Sequence, residues 1–100
     1  MWHKVSSLET LQQSKFDVVV IDNIQIAVYL LDDGIYAFED TCTHHTCPLA
    51  GGPVYDNQIT CMMHGARFCM KTGQATQAPG FHPLRMFRCR AVEGVVEVEV

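Results

Sequence analysis

The C-terminal segment of the chain shows a strict alternation of apolar and acidic residues. Val96, Val98 and Val100 alternate with Glu97 and Glu99. A period of two places the valines on one face of an extended strand and the glutamates on the other. This pattern predicts a strand with one buried face and one solvent-exposed face.

Similar runs recur along the chain, separated by short turn signals. Segments rich in Val, Ile and aromatic residues flank Asp22-Asn23, Asp56-Asn57 and Glu93-Gly94, and such pairs are typical of hairpin turns. The predicted strands are Phe16–Ile21, Gln25–Leu31, Ile35–Phe38, Val54–Tyr55, Gln58–Met62, Arg67–Met70, Leu84–Val92 and Val95–Val100. Only Ser7–Gln13 has helical character. The pattern therefore predicts a small all-β fold of stacked antiparallel sheets.

Size and charge narrow the class of protein. One hundred residues with 18% charged side chains suit one globular domain, which we expect to span residues 1–100. The net charge of −4 and the lack of a basic run argue against nucleic-acid binding. The longest apolar run, Ile26–Leu31, is far shorter than the roughly 20 residues of a membrane span. No apolar stretch follows Met1–Lys4, so no signal peptide is expected. We expect a cytoplasmic protein, and nothing in the sequence demands more than a monomer.

Two short segments carry candidate metal ligands. Cys42-Thr43-His44 and Cys61-Met62-Met63-His64 each offer one thiolate and one imidazole, with 16 residues between His44 and Cys61. Both segments fall in predicted loops at strand ends. Two sulfurs and two nitrogens suit either a tetrahedral zinc ion or an iron–sulfur centre with mixed ligands. Zinc fingers more often pair Cys with Cys and His with His, so the alternation favours iron–sulfur while leaving zinc open.

The residues around these ligands resemble the two sequence boxes of the Rieske family. The segments are Cys42-Thr43-His44-His45-Thr46-Cys47-Pro48-Leu49 and Cys61-Met62-Met63-His64-Gly65-Ala66-Arg67-Phe68, followed by Lys71-Thr72-Gly73 and Pro79-Gly80. The resemblance implies a Rieske-like fold with two cluster-binding loops and one [2Fe-2S] cluster. It implies further that Cys42 and Cys61 bind the inner iron and that His44 and His64 bind the outer iron near the surface.

The chain is most similar to the soluble Rieske ferredoxins of bacterial systems that hydroxylate aromatic rings. That resemblance implies a one-electron carrier rather than an enzyme. Its expected partners are a flavin-containing, NAD(P)H-dependent ferredoxin reductase and a terminal Rieske oxygenase. Two alternatives stay open at this point: a small Rieske subunit of a nitrite-reductase-like or other redox complex, and a zinc-stabilised interaction module.

Departures from the respiratory Rieske proteins bear on the reduction potential. Those proteins carry a second Cys in each box and join the two by a disulfide. Here Cys47 occupies the first of these positions but Met63 occupies the second, so no such bridge can form. They also carry a serine and a tyrosine whose hydroxyls bond to sulfur and raise the potential; the matching positions are Ala66 and Phe68. We therefore predict a potential at the low end of the Rieske range, about −150 mV.

Overall fold

The computed structural model describes residues 1–41, 49–61, 65–77 and 83–100. Within them the chain forms two antiparallel sheets and one short helix. In chain order the elements are β1 (Trp2–Ser7), α1 (Leu8–Ser14), β2 (Phe16–Ile21), β3 (Ile24–Leu31), β4 (Gly34–Glu39), β5 (Val54–Tyr55), β6 (Gln58–Thr60), β7 (Arg67–Cys69), β8 (Ala75–Gln77), β9 (Met86–Val92) and β10 (Val95–Glu99). The prediction of an all-β fold of stacked antiparallel sheets is confirmed.

Three hairpin turns have the backbone that their sequences predict. The residues of Asp22-Asn23, Asp56-Asn57 and Glu93-Gly94 all have positive φ, between 50° and 81°. Two consecutive residues with positive φ form the turn whose twist matches that of the flanking strands. Each of these turns therefore joins its two strands as the sequence pattern predicts.

The larger sheet has six strands in the order β1-β10-β9-β4-β3-β2 and curls until it is nearly closed. The hydroxyl of Ser6 on β1 donates a hydrogen bond to the Asp17 carboxylate on β2, at 2.8 Å, and so joins the two edge strands. Helix α1 lies next to this gap and buries Leu11 completely. Ser7 is its N-cap, accepting a hydrogen bond from the Thr10 N–H at 3.1 Å. The gap between the edge strands is thus covered.

The smaller sheet has four strands in the order β5-β6-β7-β8 and packs against the outer face of the larger one. Strand β3 is buried on both faces, from Ile26 to Tyr29. Ala27 and Tyr29 face the smaller sheet, whereas Ile26 and Val28 face the barrel interior. Burial on both faces explains why this strand is a continuous apolar run and not an alternating one.

Two hydrophobic cores result from this packing. The barrel core lies inside the six-stranded sheet, and Val96 and Val98 are fully buried in it, as their alternation predicts. We call the second one the inter-sheet core. Its buried members are Ala27, Tyr29, Phe38, Leu49, Ile59, Cys61, Ala66, Phe68, Met70 and Leu84.

Some bounds differ from the sequence-based predictions. Strands β1 and β8 were not expected, because neither has a long run of apolar residues. Strand β9 begins at Met86, two residues later than predicted, and β6 ends at Thr60. No helix in the four described ranges has the length and apolar character needed to cross a membrane.

Candidate metal centre

Cys61 lies at the base of a tight turn that follows β6. Its N–H donates to the Ala66 carbonyl at 2.7 Å, and its own carbonyl accepts from the Gly65 N–H at 2.8 Å. Gly65 has φ of +73°, a conformation that glycine adopts without strain. The side chain of Cys61 is only 1% exposed and belongs to the inter-sheet core. A buried thiol in a closed turn is suited to hold a metal ion on the protein side of a site.

The other three predicted ligands, Cys42, His44 and His64, lie outside the described residues, as do Cys47, Met63 and the Pro79-Gly80 turn. The described part of the chain accordingly contains no group of three or more Cys, His, Asp or Glu side chains that could hold a metal ion. What the structure does describe is the set of anchors on either side of these segments. These contacts show how the ends of the two loops are held.

The first loop is anchored by Asp40, which is only 2% exposed. One carboxylate oxygen, Oδ1, accepts hydrogen bonds from the N–H groups of Leu49 and Ala50, each at 2.7 Å. The other, Oδ2, accepts from the side-chain amide of Gln25 on β3, also at 2.7 Å. The backbone N–H of Asp40 donates to the Gln25 carbonyl at 2.8 Å. One side chain thus ties the two ends of the first loop to each other and to the barrel.

A second barrel residue continues this anchoring. The hydroxyl oxygen of Tyr29 accepts a hydrogen bond from the Gly51 N–H at 3.1 Å. The Tyr29 ring stacks between those of Phe16 and Phe38, with centroid distances of 5.0 and 5.7 Å. Burial raises the pKa of the Tyr29 hydroxyl, so it stays neutral near pH 7. Three consecutive N–H groups at the end of the first loop, those of residues 49–51, therefore bond to the side chains of Asp40 and Tyr29.

The two loops also meet each other through the backbone. A Cβ at Gly52 would lie 2.5 Å from the Thr60 carbonyl oxygen and 3.0 Å from that of Leu49, so only glycine fits there. The Thr60 N–H donates to the Pro53 carbonyl at 2.9 Å. Thr60 directly precedes Cys61, so the end of the first loop rests on the base of the second.

The described side chains that pack in the same core as Cys61 are apolar. Leu49, Ala66 and Phe68 are at most 1% exposed, and Leu84 is 4% exposed. Ala66 and Phe68 are the positions that carry hydroxyls in the respiratory pattern, and here neither side chain can donate. Without these two hydroxyl donors, the more negative, reduced form of a cluster is stabilised less. The structure thus supports the reasoning behind a low potential, which stays a prediction.

An exposed ion pair links the two sheets. Lys71, in the turn after β7, lies 3.1 Å from the Asp33 carboxylate in the β3–β4 turn, which also accepts from the Tyr36 hydroxyl at 3.1 Å. The hydrogen bond from Lys71 lowers the pKa of Asp33, and the same bond raises the pKa of Lys71. This pair joins the smaller sheet to the barrel.

Sequence reasoning missed Asp40, Tyr29 and Gln25. The one available signal was the position of Asp40, two residues before the Cys-x-His segment, but the sequence does not show that its carboxylate is buried. Tyr29 was interpreted only as part of an apolar run. Their roles depend on contacts between residues up to 22 positions apart, such as Tyr29 with Gly51.

The family model that describes the Rieske [2Fe-2S] domain matches residues 1–88. The chain belongs to this family. Its cofactor is accordingly one Rieske-type [2Fe-2S] cluster, which decides between the iron–sulfur and the zinc alternatives. The described residues fit such a group, because they provide a buried thiol, an apolar shell and two mutually braced loops.

Curated relatives place the chain within the Rieske family. It is 30% identical to the anthranilate 1,2-dioxygenase ferredoxin subunit of Burkholderia cepacia, over 99% of this chain and 92% of that protein. It is 34% identical to ferredoxin CarAc of Metapseudomonas resinovorans, over 98% of this chain and 92% of that protein. The chain is a Rieske ferredoxin of the dioxygenase type, an electron carrier and not a catalyst.

A solved structure agrees with this assignment. The match is a chain in the complex of reduced oxygenase and oxidised ferredoxin in carbazole 1,9a-dioxygenase. The TM-score is 0.89 at 35% identity, covering 97% of this chain and 91% of that one. The Rieske fold expected from the two boxes is confirmed.

Proposed function

We propose that this Rieske ferredoxin holds its cluster through Cys42, His44, Cys61 and His64 and passes single electrons to a terminal ring-hydroxylating oxygenase. The observation that carries the ligand assignment is the buried Cys61 in its closed turn, next to the anchored end of the loop that bears Cys42 and His44. In this assignment the two cysteines bind the inner iron and the two histidines bind the outer iron.

The cluster, when bound, supplies the chemistry: it accepts one electron and later gives it up. The chain positions and insulates it. The inter-sheet core excludes water from the inner side, and Asp40 and Tyr29 fix residues 49–51 at the end of the first loop. A rigid site changes little between the two oxidation states, which favours rapid transfer without large rearrangement.

The proposed electron acceptor rests on the relatives. The two curated relatives are named as ferredoxins, one of them as a dioxygenase subunit, and the matched structure contains an oxygenase beside its ferredoxin. The proposed electron donor, an NAD(P)H-dependent flavin reductase, rests on the family alone. The net charge of −4 suits partners with basic docking surfaces.

The test of electron transfer is reconstitution. The purified ferredoxin is combined with a ferredoxin reductase, a ring-hydroxylating oxygenase and NADH, and product formation is followed. We expect turnover that depends on the ferredoxin and saturates with it. Failure with carbazole-type and anthranilate-type oxygenase systems alike would count against the proposed partners.

The test of the ligand set is separate and needs no partner. The reduced protein should give a rhombic electron paramagnetic resonance (EPR) signal with an average g value below that of all-cysteine clusters, together with iron and no zinc. His64→Cys should lower the reduction potential, because thiolate is a more electron-rich ligand than imidazole. His3→Ala is the matched control, since His3 lies on β1 and pairs with Val98 in the barrel. An unchanged signal in His64→Cys would remove His64 from the set.

Three further expectations complete the proposal. Residues 1–100 act as one Rieske domain, supported by the packing of both sheets on β3. Size-exclusion chromatography with light scattering tests the expected monomer. Cell fractionation of the native host tests the cytoplasmic location.

A further inference from the structure

Asp40 is the one charged side chain that is buried within the described residues, and it is not one of the proposed ligands. Burial of a carboxylate is costly unless every acceptor position is satisfied. Both of its oxygens are satisfied, by the N–H groups of Leu49 and Ala50 on one side and the Gln25 amide on the other. In all three bonds the carboxylate oxygens are the acceptors. Three hydrogen bonds to one buried carboxylate indicate that Asp40 has a specific structural role in this part of the chain.

The segment that Asp40 holds is the exit of the first cluster loop. Residues 49–51 donate their N–H groups to Asp40 and Tyr29, and the Gly52 N–H donates to the Leu49 carbonyl at 3.0 Å. Gly52 then rests on the Thr60 carbonyl, one residue before Cys61. A displacement of this segment would therefore be transmitted to the base of the second loop.

We propose that Asp40 is a positioning residue for the cluster, which sets the spacing of the two loops and so governs how tightly the cluster is retained. Tyr29 assists it through Gly51. This inference rests on the ligand set proposed above. Without the carboxylate, two N–H groups lose their acceptors and the exit of the first loop is no longer tied to its entrance. The cluster then dissociates more readily, although all four ligands are present.

Three variants separate positioning from charge. Asp40→Ala removes every acceptor. Asp40→Asn keeps an oxygen for the Leu49 and Ala50 N–H groups, and Gln25 can turn its amide to accept from the new NH₂, so the geometry is retained without the charge. Tyr29→Phe removes one acceptor and leaves the ring stack intact. Asp17→Asn is the matched control, because Asp17 accepts from Ser6 and Val18 and, within the described residues, bonds to none that flank the two loops.

The experiment measures cluster release from the holoprotein by the loss of visible absorbance in excess iron chelator. We expect release to be about 10- to 100-fold faster in Asp40→Ala, the usual range for residues that orient metal ligands. Tyr29→Phe should be about 5-fold faster, as for the loss of one neutral hydrogen bond. Asp40→Asn and the control should stay near the wild-type rate. The EPR spectrum of reduced Asp40→Ala should shift, whereas those of Asp40→Asn and Asp17→Asn should overlay the wild type.

Each result decides for or against the proposal. Equally accelerated release from Asp40→Ala and Asp40→Asn would mean that charge, not positioning, is the cause, and would overturn the proposal. A wild-type rate in Asp40→Ala would overturn it as well. Equal acceleration in Asp17→Asn would show a general loss of stability and would overturn it too. If Asp40→Ala does not fold, Tyr29→Phe decides: a wild-type rate there refutes the role of the anchor. Wild-type protein with zinc and no iron would instead refute the ligand set, a failure that is distinct from these.

Discussion

Replacement of Gly52 by alanine tests directly whether the two loops are braced against each other. The new Cβ would lie 2.5 Å from the Thr60 carbonyl oxygen, about 0.9 Å closer than the 3.4 Å at which ordinary contact begins. Neither neighbour yields easily, because Thr60 is bonded to Pro53 and paired with Arg67, and Leu49 is bonded to the Asp40 carboxylate. Overpacking of this kind costs about 1–3 kcal/mol, here about 2 kcal/mol.

The consequence is measurable in two ways. A domain of this size has about 5–15 kcal/mol of stability, so Gly52→Ala still folds. With a urea dependence of about 2 kcal/mol per molar, the unfolding midpoint followed by circular dichroism should fall by about 1 M. Cluster release in chelator should also accelerate, because the added methyl group pushes the exit of the first loop away from Thr60, the residue before Cys61.

Gly94→Ala provides the control for this prediction. Gly94 has φ of +81° in the β9–β10 turn, and a Cβ there would meet nothing within 4 Å. The strain should cost about 1–2 kcal/mol, similar to the cost at Gly52, but far from the loops. We expect a lower urea midpoint and an unchanged rate of cluster release. Equal release rates in the two variants, or a wild-type midpoint in Gly52→Ala, would refute the bracing.

Three further predictions follow from burial and charge. Phe68→Ala should lower the free energy of unfolding by about 3–5 kcal/mol in urea titrations, because Phe68 is fully buried between the sheets; a loss below 1 kcal/mol would contradict this. The pKa of Cys69 is lowered overall, because burial, which raises it, is outweighed by hydrogen bonds from the turn that follows. The pKa of Cys89 is raised by burial. Alkylation followed by mass spectrometry should therefore be half-maximal below pH 9.0 at Cys69 and above it at Cys89, and the reverse order would be inconsistent with these environments. Asp33 has a lowered pKa in the folded state because of its bond to Lys71. The bond therefore stabilises the fold fully above the unfolded pKa near 3.8, and this stabilisation is lost as the pH falls through the folded pKa. The difference in unfolding free energy between wild type and Asp33→Asn should vanish in acid.

The parts of the fold that were predictable are those with a local cause. Three turns consist of residue pairs that adopt positive φ, and each specifies which two strands meet: Asp22-Asn23, Asp56-Asn57 and Glu93-Gly94. The alternation at Val96 and Val98 specifies which face is buried. In such cases the interacting residues are close in sequence, so a short window contains the whole explanation.

The candidate ligands were predictable for a related reason. Cysteine and histidine at Cys-x-His and Cys-x-x-His spacing form a chemically distinctive pattern wherever the loops lie. That the chain belongs to the Rieske family, and so carries a [2Fe-2S] cluster, confirms the cofactor prediction. The four-residue ligand assignment itself stays a prediction for the metal analysis and the His64→Cys variant.

What only the tertiary structure decided are the contacts between distant segments. Strand β1 joins the sheet beside β10, at the opposite end of the chain, and no local turn signals that pairing. Asp40 and Tyr29 are an ordinary turn residue and an ordinary core residue by sequence. They become loop anchors because folding brings residues 49–51 next to them. Sequence pattern determines most of the strands and which residues can bind metal. The long-range packing of two sheets determines which side chains anchor the end of the first loop, since that role depends on distance in space and not along the chain.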